Sequence, residues 1–231
     1  IMLAIVAAAV FGVAIFFKVS TIEVQGNTVY SSEQIVEASQ IRQGDNLLTV
    51  NKALAVGNIK AALPYVEDVS IARSLPDGII IQVRESTICF AVMTDTNAAW
   101  LIGPGGKALE RIEPAAFNEY PHIDGLLIAS PTAGQSVSSS SPTALSAVLS
   151  VMSELDGTGL LEHIRAINVE KEYDIVVWYD DRYEIKLGGT DEMAYKIRYL
   201  CAILDQLSEY QAGTIDLSQA AEKKATFQPS T

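Results

Sequence analysis

The sequence is poor in the side chains that most enzymes use for chemistry. Its 231 residues include two histidines and two cysteines. His122 and His163 share no HExxH spacing and the cysteines share no CxxC spacing, so a zinc site would lack its usual ligands. Neither the SxxK motif of penicillin-binding enzymes nor a complete P-loop occurs. We therefore expect no catalytic residue, no metal and no cofactor.

Basic residues are scarce as well. Lysine and arginine together number 16 against 28 aspartate and glutamate residues, which gives a net charge of −12 at pH 7. A nucleic-acid-binding surface needs clustered positive charge to neutralise phosphates. The composition therefore argues against nucleic acid as a partner.

Long apolar runs are missing except at the start. Residues 1–17 form the run IMLAIVAAAVFGVAIFF. A helix of that length spans about 25 Å, close to the ~30 Å of a bilayer core. A cleaved signal peptide is the alternative, but Phe16, Phe17 and Lys18 stand where a small-residue cleavage site would be needed. We predict a transmembrane anchor over residues 1–17.

Residues 18–85 show the pattern of a compact unit with the order β-α-α-β-β. Ser31 and Gln34 have the spacing of a capping box, which begins the first helix. Asn51 can cap the second helix, and Pro64 ends it. Alternating apolar and polar residues predict the three strands, over residues 19–24, 66–73 and 79–84.

Residues 86–231 predict a second, mixed domain that is rich in strands and has flanking helices. Helices are expected over residues 142–155 and 191–209, and a mobile loop over 130–142. The predicted strands cover residues 87–93, 100–102, 108–109, 164–169, 174–179, 183–187, 214–217 and 224–227. Cys201 falls on the apolar stripe of the second helix, which favours a free buried thiol; a pairing with Cys89 stays open.

Residues 18–85 resemble the POTRA domain of the FtsQ/DivIB family of bacterial cell-division proteins. The resemblance rests on motifs in a fixed order: IEVQGN at residues 22–27, GDNLL at 44–48, LPYV at 63–66, VSIAR at 69–73 and IQVRE at 81–85. The chain is thus expected to be α+β, with a transmembrane helix at 1–17, a POTRA domain at 18–85 and an FtsQ/DivIB-type β domain at 86–231.

The second domain resembles the same family through three shorter motifs. The hairpin around residues 103–107 is similar to ID-x-x-G-x-x-L, with Gly103 where aspartate is usual. The segment YPHIDG at 120–125 resembles the family turn LP-x-I-x-G. The motif IDL at 215–217 matches a C-terminal family motif, but Ser218 and Gln219 follow where Arg-Tyr is common.

The resemblance implies a scaffold of the divisome and no enzyme. Such proteins cross the cytoplasmic membrane once, with their bulk outside the cytoplasm at the division septum. They bind FtsL-type and FtsB/DivIC-type bitopic proteins and help control septal peptidoglycan synthesis, and their POTRA domain contributes to recruitment with other divisome components. Carried over to this chain, the partner-binding residues would be Tyr199, Ile215, Asp216, Leu217, Ala225, Thr226 and Phe227.

Several alternatives remain open at this point. The last predicted strand is either an edge that awaits a partner or a frayed terminus. The aromatic residues around 173–183 either pack across strands or form a partner-facing patch. For the whole protein, the rivals are a POTRA-containing component of secretion or outer-membrane assembly, which would need a following barrel, and a membrane-anchored cell-wall enzyme.

Overall fold

The computed structural model describes Met2 and residues 17–208, 210–222 and 224–230. The chain divides into two compact units, residues 1–87 and residues 88–231. Apart from Met2 and Phe17, the predicted anchor lies outside the described residues. Within those described ranges, none of the helices combines the length and the apolar character that crossing a bilayer requires.

The first unit has the predicted order β-α-α-β-β. Its elements are β1 (Thr21–Gln25), α1 (Ser32–Ser39), α2 (Lys52–Ala62), β2 (Val66–Ser74) and β3 (Gly78–Glu85). The three strands form one sheet in the order β1-β3-β2, with β1 parallel and β2 antiparallel to the central β3. Both helices cover one face of this sheet.

Both predicted helix starts of the first unit are confirmed. The Ser31 side chain accepts from the Gln34 N–H, and the Gln34 side chain accepts from the Ser31 N–H, which completes the capping box. Asn51 accepts from the Leu54 N–H at 3.1 Å. The helices then direct Ile35 and Ile59 into a core that Ile81 of β3 shares.

The second unit is built on one ten-stranded sheet. Its strands are β4 (Phe90–Thr94), β5 (Ala99–Ile102), β6 (Ala108–Ile112), β7 (His122–Ala129), β8 (Ser138–Ser139), β9 (Ile164–Asn168), β10 (Ile175–Tyr179), β11 (Tyr183–Gly188), β12 (Gly213–Asp216) and β13 (Thr226–Pro229). Its α-helices are α3 (Pro142–Leu155) and α4 (Met193–Leu204), which contact each other and pack on the sheet. The strand order is β13-β12-β11-β10-β9-β7-β4-β5-β6, with β8 beside β7.

The prediction of a turn at residues 120–125 is wrong. His122 begins strand β7, and Gly125 lies inside it at φ +80°. β7 lies between β9, which pairs with residues 122–124, and β4, which pairs with His122 and, beyond a register shift, with Leu127 and Ile128. Gly125 lies in the segment where the register with β4 shifts, so its positive φ belongs to a bulge within β7 and not to a turn.

Two other segments differ from expectation. The predicted loop over residues 130–142 contains β8, and Gly134 and Val137 donate to the carbonyls of Ala108 and Gly106 at 2.8 and 2.9 Å. The predicted helix over residues 191–209 shortens to α4, because Glu192 before it has a left-handed conformation at φ 49° and the described bonds that follow the Asp205 N–H are of the turn type. Residue 209 lies outside the described residues. Cys89 and Cys201 are both free.

Candidate partner-binding edge

Strand β13 is the outermost strand at one side of the second unit's sheet. It pairs antiparallel with β12, and the register sets Thr214 opposite Gln228 and Ile215 opposite Phe227. Among the described residues, no strand pairs with the other side of β13. The backbone of β13 therefore forms an open edge.

The hydrogen bonds on either side of β12 establish which backbone groups point to that edge. The Ser230 N–H donates to the Ala212 carbonyl at 2.8 Å, so this pair faces inward across the β12–β13 ladder. On the opposite side of β12, the Gly213 N–H donates to the Arg182 carbonyl of the β10–β11 turn at 2.9 Å. Backbone groups alternate in direction from residue to residue along an antiparallel ladder. The backbone N–H and C=O groups of the even-numbered residues of β13 therefore point toward β12.

The backbone groups of the odd-numbered residues at this edge point outward, away from β12. Phe227 directs its N–H and C=O away from β12, whereas Pro229 has only its carbonyl to offer. Ala225 directly precedes β13, and the same alternation predicts that its N–H and C=O also point outward. The open edge thus presents two donors and three acceptors over five residues. This is the spacing that an additional β-strand requires.

The side chain of Phe227 leaves the plane of the sheet and packs against the core of its own unit. Its ring centroid lies 6.3 Å from that of Tyr183 in an edge-to-face arrangement. Gly213 is the β12 residue beside Tyr183 and has no side chain to separate the two rings. Phe227 therefore anchors the edge strand with its side chain while its backbone stays available.

The aromatic contacts continue inward from Phe227. Tyr183 lies 6.4 Å from Tyr179, and Tyr179 lies 5.4 Å from His163. Tyr179 and Tyr183 are buried and face each other across the β10–β11 pair, which confirms the packing interpretation for these two rings. Burial raises the pKa of Tyr179, and the carboxylate of Asp180 adds to the rise. Tyr173, in contrast, is 75% exposed.

Asp216 acts within its own chain. Its carboxylate accepts from the Ser218 N–H at 2.9 Å and from the Ser218 hydroxyl at 2.7 Å. These bonds form the turn that follows β12 and leads toward the 3-10 helix Ala220–Glu222. Ser218 occupies a position where arginine is common in the family, so this turn is one place where the departure from the motif has a local structural role.

Ile215 and Leu217 are fully buried and belong to the core of the second unit. Their side chains support β12, the strand on which β13 pairs. Thr226 is exposed and Ala225 is half-buried at the edge itself. Four of the seven predicted residues therefore lie on the paired strands β12 and β13, and Leu217 and Ala225 lie directly next to these strands.

The seventh predicted residue, Tyr199, lies on helix α4, where its ring stacks on Tyr195 at 6.1 Å. Between them in sequence, Lys196 is fully buried. Its ammonium donates to the Gly189 carbonyl at 2.8 Å and lies 3.5 Å from the carboxylate of Asp191. Lys196 thereby holds the segment before α4. Sequence reasoning missed it, because a lysine on a helix normally predicts a solvent-exposed position.

The turn between β10 and β11 carries a small group of charges. His163 lies 2.9 Å from Asp180, which is also 3.7 Å from Arg182, and Arg165 lies 3.6 Å from Asp181. Asp180 and Asp181 both have positive φ, 53° and 54°, as a tight hairpin turn requires. The turn thus joins the two strands that the sequence predicts over residues 174–179 and 183–187, and His163 is hydrogen-bonded to it. In the part of the chain that the structure describes, no three potential ligands cluster to hold a metal ion.

Comparison with known families decides the identity of the fold. Residues 91–218, more than half of the chain, match the family model described as cell division protein FtsQ/DivIB, C-terminal. The chain belongs to the FtsQ/DivIB family. Residues 17–86 match the FtsQ-type POTRA domain, so the resemblance seen in the sequence motifs is confirmed for both units.

Curated relatives of the FtsQ/DivIB family agree over most of the chain. The cell division protein DivIB of Clostridium botulinum is 26% identical over 206 residues, which cover 88% of this chain and 79% of the relative. The cell division protein FtsQ of Corynebacterium glutamicum is 26% identical over 193 residues, 81% of this chain and 80% of the relative. The C-terminal FtsQ/DivIB match ends at residue 218, so it includes β12 and stops before β13.

Proposed function

We propose that this protein is a membrane-anchored scaffold of the divisome that binds FtsL-type and FtsB/DivIC-type proteins and helps control septal peptidoglycan synthesis. The proposal places a single span at residues 1–17 in the cytoplasmic membrane, with the two units outside the cytoplasm at the septum. Membership of a cell-division family supports this role. The observation that carries the binding part is the open edge of β13.

Partner binding would proceed by strand addition to β13. An extended segment of the FtsB/DivIC-type partner would pair with the outward backbone groups of Ala225 and Phe227 and with the Pro229 carbonyl. The exposed Thr226 and Gln228 would contact alternate side chains of the incoming strand. Such recognition depends on backbone geometry, which explains why it leaves so weak a signal in the sequence.

The same edge is protected against pairing with a second copy of this chain. β13 has only four residues, and its last residue, Pro229, lacks an N–H. Lys224 places a charge just before the strand. A short edge of this kind gives few hydrogen bonds on its own. A stable complex would need further contacts, for which the exposed face of α4 near Tyr199 is the candidate.

The POTRA unit would contribute recruitment rather than the FtsB/DivIC contact. Its sheet has two outer strands, β1 and β2, on either side of β3. Next to β1, a groove of about 530 Å³ is lined by residues that include Ile22, Val36 and Arg42. Other divisome components are the proposed ligands of this unit.

The experiment uses the tagged full-length protein, purified from its native membrane and identified with its partners by mass spectrometry. We expect small bitopic division proteins to co-purify.

The variant Ala225→Pro removes one outward N–H and leaves the inward bonds of β13 intact, so it should lose the FtsB/DivIC-type partner while the melting temperature stays unchanged. Ala225→Ser, which keeps the outward N–H at the same position, is the matched control and should retain it. Full recovery with Ala225→Pro would refute strand addition.

A further inference from the structure

The exposed leucines of the POTRA unit gather at one end. Among residues 17–87, the large apolar side chains that are exposed are Leu48, Leu54 and Leu75, at 45%, 59% and 66%, and Val29 at 48%. Leu48 lies before α2, Leu54 in the first turn of α2, and Leu75 in the turn from β2 to β3. All three are at the end of the sheet where β1 begins. Val29 lies at the opposite end, where its N–H donates to Glu85, the last residue of β3.

The same end receives the chain from the apolar run. The Leu47 N–H donates to the Phe17 carbonyl at 2.8 Å, and the Ser20 N–H donates to the Asp77 carbonyl at 2.8 Å. Residues 17–20 therefore lie directly beside the loop of Leu48 and the turn of Leu75. Phe17 is the last residue of the seventeen-residue apolar run.

The loop that exposes Leu48 is held firmly by polar contacts. The Arg73 guanidinium donates to the carbonyls of Leu47 at 2.6 Å, Leu48 at 3.0 Å and Val50 at 3.3 Å. The Leu48 N–H donates to the Asn46 side chain at 2.9 Å. Because its backbone is fixed on both sides, Leu48 cannot turn inward without breaking these bonds. Its outward direction is a built feature of the loop.

We propose that Leu48, Leu54 and Leu75 insert into the interfacial layer of the lipid bilayer at the point where the chain leaves it. This rests on the proposed membrane anchor at residues 1–17. An anchor that ends at Phe17 brings the loop of Leu48 within a few residues of the membrane surface. Apolar side chains gain free energy by entering the boundary between headgroups and acyl chains.

The charge of the whole chain favours a neutral lipid surface. The end that carries the leucines has charges of both signs, with Lys18, Lys52 and Arg73 on one side of the balance and Asp45 and Asp77 on the other. With a net charge of −12, the whole chain would be repelled by anionic headgroups. Insertion is therefore driven by the leucines, while the stems of Lys18 and Lys52 let their ammonium groups reach the headgroups.

This contact would set the orientation of the POTRA unit. With the start of β1 at the membrane, the eight residues of β3 run away from it over about 26 Å. Glu85 and Val29 then lie at the distal end. The unit would stand on the surface with its helices and strands along the membrane normal.

The test reconstitutes the full chain, as a Cys89→Ser/Cys201→Ser variant, in phosphatidylcholine nanodiscs that contain a lipid with a spin label on its acyl chain. A fluorescent probe is attached at Leu48→Cys, Leu75→Cys, Val29→Cys or Ala8→Cys, one at a time. Val29 is the matched control, because it is as exposed as Leu48 and lies in the same unit at the other end. Thermal melting verifies that each variant is folded.

We expect the lipid spin label to quench the probe at positions 8, 48 and 75 and to leave position 29 bright. Quenching at position 8 without quenching at 48 and 75 would overturn the lipid contact and leave the anchor in place. Absence of quenching at position 8 would overturn the anchor itself, and the lipid contact with it. Equal quenching at positions 29 and 48 would overturn the orientation.

Discussion

The carboxylate of Glu85 holds the backbone of Thr28 in place. One oxygen of Glu85 accepts from the Thr28 N–H at 2.6 Å, from the Thr28 hydroxyl at 3.0 Å and from the Val29 N–H at 2.5 Å. Glu85 ends β3, and Thr28 follows β1, so this contact joins the ends of the two parallel strands. Glu85 is only 9% exposed, so this contact is buried and belongs to the structural core of the POTRA unit.

Replacing this carboxylate by an amide should destabilise the POTRA unit. In Glu85→Gln, a neutral side chain that carries donors as well as an acceptor faces the donors of residues 28–30. We expect a loss of about 1–3 kcal/mol in the free energy of unfolding, as for hydrogen bonds to charged groups. Urea denaturation measures the loss, and hydrogen exchange should accelerate at residues 28–30.

Glu67→Gln is the control for that prediction. Glu67 pairs with Arg84, whose side chain is 65% exposed, so the pair is worth about 0–1 kcal/mol. An equal loss in the two variants would contradict the structural role assigned to Glu85.

The bulge in β7 yields a second prediction. A Cβ at Gly125, where φ is +80°, would lie 2.3 Å from the Glu170 nitrogen. We expect Gly125→Ala to cost about 3–4 kcal/mol, because backbone strain adds to a clash with another segment of backbone. Gly157→Ala has nearly the same φ, +78°, but open space around its Cβ, and should cost about 1–2 kcal/mol. Equal costs in thermal melting would contradict the bulge.

Phe227 should hold β13 in place. In Phe227→Ala the edge strand loses its contact with Tyr183, and we expect about 1–2 kcal/mol less stability for a half-buried ring. Hydrogen exchange of residues 224–230 should accelerate. Gln228→Ala, on the exposed side of the same strand, should leave that exchange unchanged. Unchanged exchange in Phe227→Ala would show that β13 is held by other contacts.

The Cys89 thiol should react slowly. Burial raises its pKa above the usual value, and the carboxylate of Glu110 adds to the rise. Since the thiolate is the reactive form, the pH midpoint of the rate with a disulfide reagent should be higher in a Cys201→Ser variant than in an unstructured cysteine peptide. A midpoint equal to or below that of the peptide would contradict the environment described for Cys89.

The sequence predicted local structure well where one residue type has one physical role. The capping box of Ser31 and Gln34, the cap at Asn51 and the helix that begins at Pro142 all depend on contacts within a few residues. The glycine-rich turn between β5 and β6 was predictable for the same reason, because the two strands that flank it pair directly with each other. Family motifs then connected these elements to the FtsQ/DivIB fold.

The sequence could not predict features that depend on distant neighbours. The sequence favours a turn at Gly125, because only the register shift between β7 and β4 shows that it is a bulge. Lys196 is buried by the segment before α4, which no periodicity reveals. For the predicted partner-binding residues, the direction of each side chain depends on the register of β12 and β13, so the core position of Ile215 and the anchoring position of Phe227 required the structure.

The alternation along β13 gives the most direct test of the proposed partner site. Amide hydrogen exchange, resolved to single residues, would be measured on the full chain with and without an FtsB/DivIC-type partner. We expect the outward N–H groups of Ala225 and Phe227 to exchange rapidly in the free protein and slowly in the complex, whereas those of Thr226 and Gln228 are slow in both. A complex that forms while Ala225 and Phe227 continue to exchange rapidly would contradict strand addition at this edge.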